Sequence, residues 1–249
     1  MSSLETSLIA FGCLVAGTVL GLWFQYLLPE HHLSKASQDT VKLGAGMVAT
    51  MSALILGLLV SSAKSSFDAM NTSIALNGAK IIQLDHLLAE YGPETKPFRV
   101  ALKQSIAERV EKIWGSGGGM RVVEKSTAIL DLQTQLNQLS PASDWQKSIL
   151  AQARQISTEI WQNRLLMLEQ QTEPVPVVFL VLLVFWLTLL FLSFGLFAPR
   201  NVTVLAVLFV CALSVASAVF LILEMSHPLD GFIKVSSAPM LKALKLIGN

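Results

Sequence analysis

Residues 42–68 read KLGAGMVATMSALILGLLVSSAKSSFD, and the rest of the chain is organised around them. No charge falls between Lys42 and Lys64, and about 20 apolar residues suffice to cross the hydrocarbon core of a bilayer. The run does not close on a turn. From Ser65 it becomes polar but stays free of Gly and Pro until Gly78. One long helix is therefore expected, starting in the bilayer and continuing into water to about Ala89, with Ile74, Ile81, Leu84 and Leu88 on one face. Tyr91-Gly92-Pro93 stops it. Within the span, Thr50, Leu54 and Leu58 recur every fourth residue and share a stripe. By spacing alone that stripe suits either a pore constriction or contact with other helices. Gly44, Gly46, Ala49, Ala53 and Gly57 keep other faces slim.

Working outward, three further spans are expected. The first covers Ser7 to Leu28 and carries Gly17-Thr-Val-Leu-Gly21, with Gly12 and Ala16 also four apart. Small residues at this spacing let another helix approach closely, within the chain or between copies. Trp23 and Tyr26 sit near its end, where aromatic rings favour the membrane interface. The run lacks the basic leader of a signal peptide and reads as a retained span. Pro29 ends it. In the loop that follows, His31-His32 has no Cys or third His nearby, so a solvated loop is expected rather than a metal site. Pro174 and Pro176 mark return to the membrane. Spans three and four cover Val177 to Phe197 and Val202 to Leu223, joined by Ala198-Pro-Arg-Asn201 in a tight hairpin.

The resulting fold class is all-α, a polytopic membrane protein with four transmembrane helices and a helical cytoplasmic insert between spans two and three. Residues 1–64 hold the first two spans, 65–173 the insert, 174–223 the second hairpin and 224–249 a cytoplasmic tail. In the insert, Pro97 opens a second helix running to Trp114. GSGGG, Gly115 to Gly119, breaks the chain, and no strand or Lys-Ser/Thr makes it a nucleotide loop. A third helix is expected over Arg121 to Leu139, and Ser140-Pro141 precedes a fourth from Ala142 to Gln171. The tail ends in a short basic amphipathic helix, Met240 to Ile247. It is expected to fold back on the insert of its own or a neighbouring chain, the alternative being a loose terminus.

Composition agrees. The 249 residues are 53% hydrophobic and only 14% charged, against about a quarter charged in soluble domains. Mean hydropathy is +0.58. A net charge of +1 without a basic run gives no footprint for nucleic acid. Cys13 and Cys211 both lie in apolar spans and read as small buried hydrophobes. The insert and tail hold most of the Lys and Arg, from Lys64 and Lys80 through Arg154 and Arg164 to Lys234, Lys242 and Lys245. The opposite side holds Lys35, Lys42 and Arg200. The positive-inside rule then puts both termini and the insert in the cytoplasm. No ionisable residue lies inside a span, which argues against a proton pump or ion-coupled carrier. No catalytic constellation, metal-ligand spacing or cofactor motif is present, so an enzyme is not expected.

Two stretches resemble a known family. The tail LEMSHPLDGFIKVSSAPM is similar to the closing signature of the bacterial bestrophin-like membrane family: an acid, Pro-x-x-Gly, then Val-Ser-x-x-Pro. The matching positions are Glu224, Pro228, Gly231, Val235, Ser236 and Pro239. The stretch ALILGLLVSSAKSSFDAMNTSIALNGAKIIQLDHLL resembles that family's second span and its cytoplasmic extension. Bestrophins proper are pentameric anion channels, and Leu56-Gly57-Leu58 resembles the Leu-Gly-bulky element of their pore neck. The resemblance implies a homopentamer in the bacterial inner membrane, permeant anions such as chloride, and a neck of Thr50, Leu54 and Leu58. An aromatic-Asp pair, Phe67-Asp68, comes about three residues later than in bestrophins, and their following Arg-Trp-Trp segment is absent. Rings of Leu54 and Leu58 can gate by dewetting and offer cations no oxygen ligands, whereas Thr50 adds a hydroxyl oxygen. The alternative is a non-conducting scaffold or sensor that recruits a partner through the insert.

Overall fold

The computed structural model describes residues 2–29, 35–115, 134, 136–172, 177–199, 201–229 and 231–248. The His31-His32 loop, most of the expected third insert helix and the Pro174 and Pro176 re-entry lie outside the described residues. Among those described, the regular structure is helical: α1 (Ser3–Leu27), α2 (Lys35–Tyr91), a 3-10 turn (Pro93–Thr95), α3 (Lys96–Trp114), α4 (Asp144–Thr172), α5 (Val177–Phe197), α6 (Val202–Ser226) and α7 (Ala238–Leu246). Helices α1, α2, α5 and α6 are long and apolar enough to cross a membrane. The chain divides into two compact units, Met1–Ser65 with Pro174–Ser226 and Ser66–Glu173 with His227–Asn249. Helix α2, 57 residues without interruption, contributes to both.

In the first unit, α1 starts earlier than its apolar run. Ser2 accepts from the Glu5 N–H while the Glu5 carboxylate accepts from the Ser2 N–H, a reciprocal capping box that satisfies two donors otherwise left open at a helix start. Helix α1 lies close against α5. A Cβ on Gly17 would come within 2.8 Å of the Thr188 carbonyl, and one on Gly21 would collide with the Leu192 carbonyl. The approach is mutual, because a Cβ on Gly195 would strike the Thr18 carbonyl. On the N-terminal side of this contact along α1, Leu14 packs with Phe191 and Ala212, and Ala10 with Leu180 and Val219. Leu59 and Ala63 of α2 pack against Leu183 of α5 and Ile222 of α6. Asn201 turns the hairpin, its carbonyl taking the Leu205 N–H and its side-chain oxygen the Thr203 N–H.

In the second unit, the core is supplied by one face each of α2, α3 and α4 and by the tail. Ile74, Ile81, Leu84 and Leu88 meet Phe98, Leu102 and Ile106 of α3 and Ile149, Ile156 and Ile160 of α4. Val235, Met240, Ala243 and Ile247 of the tail complete it. Helix α2 ends at Tyr91 because Gly92 adopts φ +142°, a backbone region nearly closed to other residues. The Thr95 hydroxyl then donates to the Leu88 and Gly92 carbonyls, acceptors that the helix end leaves open. One polar pair is buried where α2 meets α4. Asn163 Nδ2 donates to Asn77 Oδ1 at 2.9 Å and to the Ser73 carbonyl at 3.1 Å, and Asn77 Nδ2 donates to the Met167 sulfur, so both amide nitrogens have acceptors.

Candidate functional site

The first candidate is the stripe on α2. A helix crossing the membrane in a bundle presents one face to its own chain. On α2 that face includes Ser52, Leu59 and Ala63, all buried. The stripe is elsewhere. Leu43, Met47, Leu54 and Leu58 are 75, 72, 70 and 66% exposed, and Thr50 is exposed between them. Steps of three and four residues place these five on one face, which is left uncovered by the described residues. The Thr50 hydroxyl donates to the Met47 carbonyl at 2.8 Å, so its proton is engaged by the helix itself. Gly57 has open space around it, with nothing within 4 Å of an added Cβ. Unlike Gly17 and Gly21, it therefore receives no helix from among the described residues. On a neighbouring side, Ala45, Gly46 and Ala49 line an apolar cleft of about 420 Å³ with Phe194 and Phe197 of α5 and Leu208 of α6.

The second candidate is the closing segment. Glu224 is buried in the last turn of α6. The Pro228 carbonyl accepts from the Val235 N–H at 2.9 Å and closes the loop that contains Gly231. Val235 is buried, and its own carbonyl accepts from the Trp114 indole at 2.8 Å. Ser236 Oγ accepts from the Ala238 N–H at the start of α7. Pro239 lies against Gly78, where a Cβ would come within 3.0 Å of the Pro239 carbonyl. From Pro228 to Pro239, these positions fasten the tail to the core of its own second unit, and their geometry is structural.

Sequence reasoning passed over the charges that hold this unit together. Arg99 grips Asp85 with two parallel hydrogen bonds, both 2.8 Å, and the Gly248 N–H donates to the same carboxylate at 3.1 Å. Lys103 Nζ donates to the Ile247 carbonyl at 2.8 Å. Burial opposes the charged form of Asp85. The Arg99 and Gly248 hydrogen bonds and the Arg99 charge outweigh it, and the carboxyl is held below its ordinary value. The missed signal was the placement of Asp85 on the same face of α2 as core positions such as Ile81 and Leu88, where a carboxylate needs a partner. Lys80 pairs with Glu159 across α2 and α4 at 3.3 Å. Two other arginines, Arg109 and Arg164, have no such partner among the described residues. No group of three or more His, Cys, Asp or Glu placed to hold a metal occurs among the described residues.

An all-helical chain with four helices long and apolar enough to span a bilayer, and a separate helical unit closed by its own tail, defines a polytopic membrane protein. The model of the Bestrophin-like domain matches residues 12–240, and the chain belongs to that family. No curated protein and no solved structure matches the chain.

Proposed function

We propose that this protein is an oligomeric, passive, anion-preferring channel of the bestrophin-like type. It would reside in the bacterial inner membrane as a pentamer, with both termini and the helical insert on the cytoplasmic side. The observation that carries the reading is the uncovered stripe of α2. Leu54 and Leu58 are exposed on a helix whose opposite face packs against α5 and α6. Copies of α2 arranged about an axis would cover that stripe and turn Thr50, Leu54 and Leu58 into a ring-lined neck. Membership in the Bestrophin-like domain family supports the same assignment. Chemistry at such a neck is simple: apolar rings impose a dewetting barrier and offer no carbonyl or carboxylate oxygens to replace a cation's water.

The test is chloride flux from liposomes carrying the purified protein. Leu54→Ala and Leu58→Ala widen the neck and lower the barrier, so both are expected to raise flux several-fold over the unsubstituted protein. Unchanged flux and gating in both variants would remove the neck from α2. A second reading, a scaffold that recruits a partner, draws on Val100 of α3 and Trp145 and Leu166 of α4, large apolar side chains left exposed on the second unit. Protein without flux in any variant, together with a monomeric mass, would favour it.

A further inference from the structure

Helix α2 is packed at one end of its apolar run and stands apart at the other. Ser52, Leu59 and Ala63 are buried, whereas none of residues 42–51 is. The gap beside those residues is the apolar cleft of about 420 Å³, walled by Ala45, Gly46 and Ala49 of α2 and by Phe194, Phe197 and Leu208 opposite. It lies at the end of the bundle where α2 enters its apolar run, α5 ends at Phe197 and α6 begins at Val202. Its walls are set by the fold. An added Cβ on Gly46 would meet nothing within 4 Å, so no described helix uses that small residue for close contact. The Phe194 ring stands edge-on to the buried Phe191 ring, centroids 6.2 Å apart. Among the described residues that line the cleft, Lys42 carries the only charge. Asp39 lies 3.9 Å from its ammonium, too far for a hydrogen bond. The two side chains are 66 and 76% exposed, and a pair so placed contributes little.

We propose that this cleft binds one acyl chain of an anionic phospholipid, with the headgroup phosphate on Lys42. Below Lys42, Ser193 is the one polar side chain in the lining, and a bound water needs roughly two to four polar partners. A lipid tail is as apolar as the walls themselves, and the volume lies in the range of about 300–1,000 Å³ typical of ligand sites. Lys42 bounds the charge-free run of α2. A lysine so placed lays its methylene stem along apolar surface and holds its ammonium at headgroup level, where a phosphate complements it. The bound tail fills the gap and braces this end of α2 against α5 and α6. The site is independent of whether α2 lines a conducting pore, and its test reads binding alone.

The test is native mass spectrometry of the full chain in mild detergent, stripped of lipid and then titrated with phosphatidylglycerol or phosphatidylcholine. One phosphatidylglycerol per chain is expected to bind saturably, about fivefold tighter than phosphatidylcholine, the order set by one lysine at an anionic surface. Gly46→Leu fills the cleft from a position with room for the side chain. It should abolish this uptake and leave the number of chains per assembly unchanged. Lys42→Gln should keep the uptake but bind the two lipids alike. Lys64→Gln, at the far end of the same charge-free run, should preserve the preference. Should Gly46→Leu not purify, Ala49→Leu decides in the same way. Absent uptake, or equal affinity for the two lipids in the unsubstituted protein, would overturn the proposal. So would undiminished uptake by the cleft-filling variant. An equal loss of preference in Lys64→Gln would overturn it as well, by showing general attraction to the surface. A cleft-filling variant that changes the number of chains, with no lipid taken up by the unsubstituted protein, would assign the cleft to a neighbouring copy instead.

Discussion

At the scale of single residues, Asp85 joins three parts of the second unit. Its carboxylate ties α2 to α3 through Arg99 and to the end of the tail through the Gly248 N–H. The side chain of Asp85 is 4% exposed, so removing its charge strands Arg99 in a poorly solvated place. Breaking one side of such a pair costs about 3–5 kcal/mol, and Asp85→Asn is expected to lower the stability of the second unit by that order in chemical denaturation. The pH dependence has a definite sign. The folded carboxyl titrates below its unfolded value, near 3.9 for Asp. Its stabilisation is therefore complete above about pH 4 and drains away as pH falls through the lower folded value. Asp85→Asn should flatten the acid limb of a stability–pH curve. An acid limb identical to that of the unsubstituted protein would mean that other carboxylates control it.

At the scale of elements, α7 is a structural member of the second unit rather than a loose end. Met240, Ala243 and Ile247 are buried in the same cluster as Ile81, Leu102 and Ile156. Replacing a large buried side chain by Ala costs about 2–5 kcal/mol, and ending the chain before α7 removes Met240 and Ile247 at once. A chain ending at Ser237 is expected to lose the Asp85 contact to Gly248, melt well below the full chain and become sensitive to limited proteolysis between α3 and α4. An unchanged proteolysis pattern would show that the unit closes without its tail. Helices α1 and α5 are joined by a different kind of contact. Gly17, Gly21 and Gly195 remove side chains where backbones meet, and van der Waals contact between backbones replaces the hydrophobic drive that lipid cannot supply.

At the scale of the whole molecule, a stripe of apolar side chains on α2, from Leu43 to Leu58, is left exposed by the described residues. Lipid tails can cover such a stripe, and so can copies of the same helix. Those alternatives differ in mass. Native mass spectrometry in mild detergent is expected to give five chains, in keeping with the channel reading. A monomer or dimer would leave no axial space between second spans and would turn attention to Trp145 and its exposed neighbours as a docking face.

The sequence by itself determined the helical class and the placement of the apolar helices, because both follow from local properties. Hydropathy over a window, the absence of Gly and Pro from residues 58–77, and the stop at Tyr91-Gly92-Pro93 are read residue by residue. Helix α5 spans Val177–Phe197 as expected, and α2 passes out of its apolar run without a break. The tail motif and the family to which it points were equally legible, since a signature is a string. Helix ends were less so: α1 begins at Ser3 because Ser2 and Glu5 cap each other, a side-chain exchange that hydropathy does not register. The tertiary structure alone decided which small residues are used within the chain, joining Gly17 and Gly21 to α5 and leaving Gly57 open. It also decided which charges are paired, matching Arg99 to Asp85 from fourteen residues away and leaving Arg109 and Arg164 without an acid among the described residues. Pairing depends on where helices cross, and a crossing is set by the packing of whole faces, which no local stretch of sequence contains.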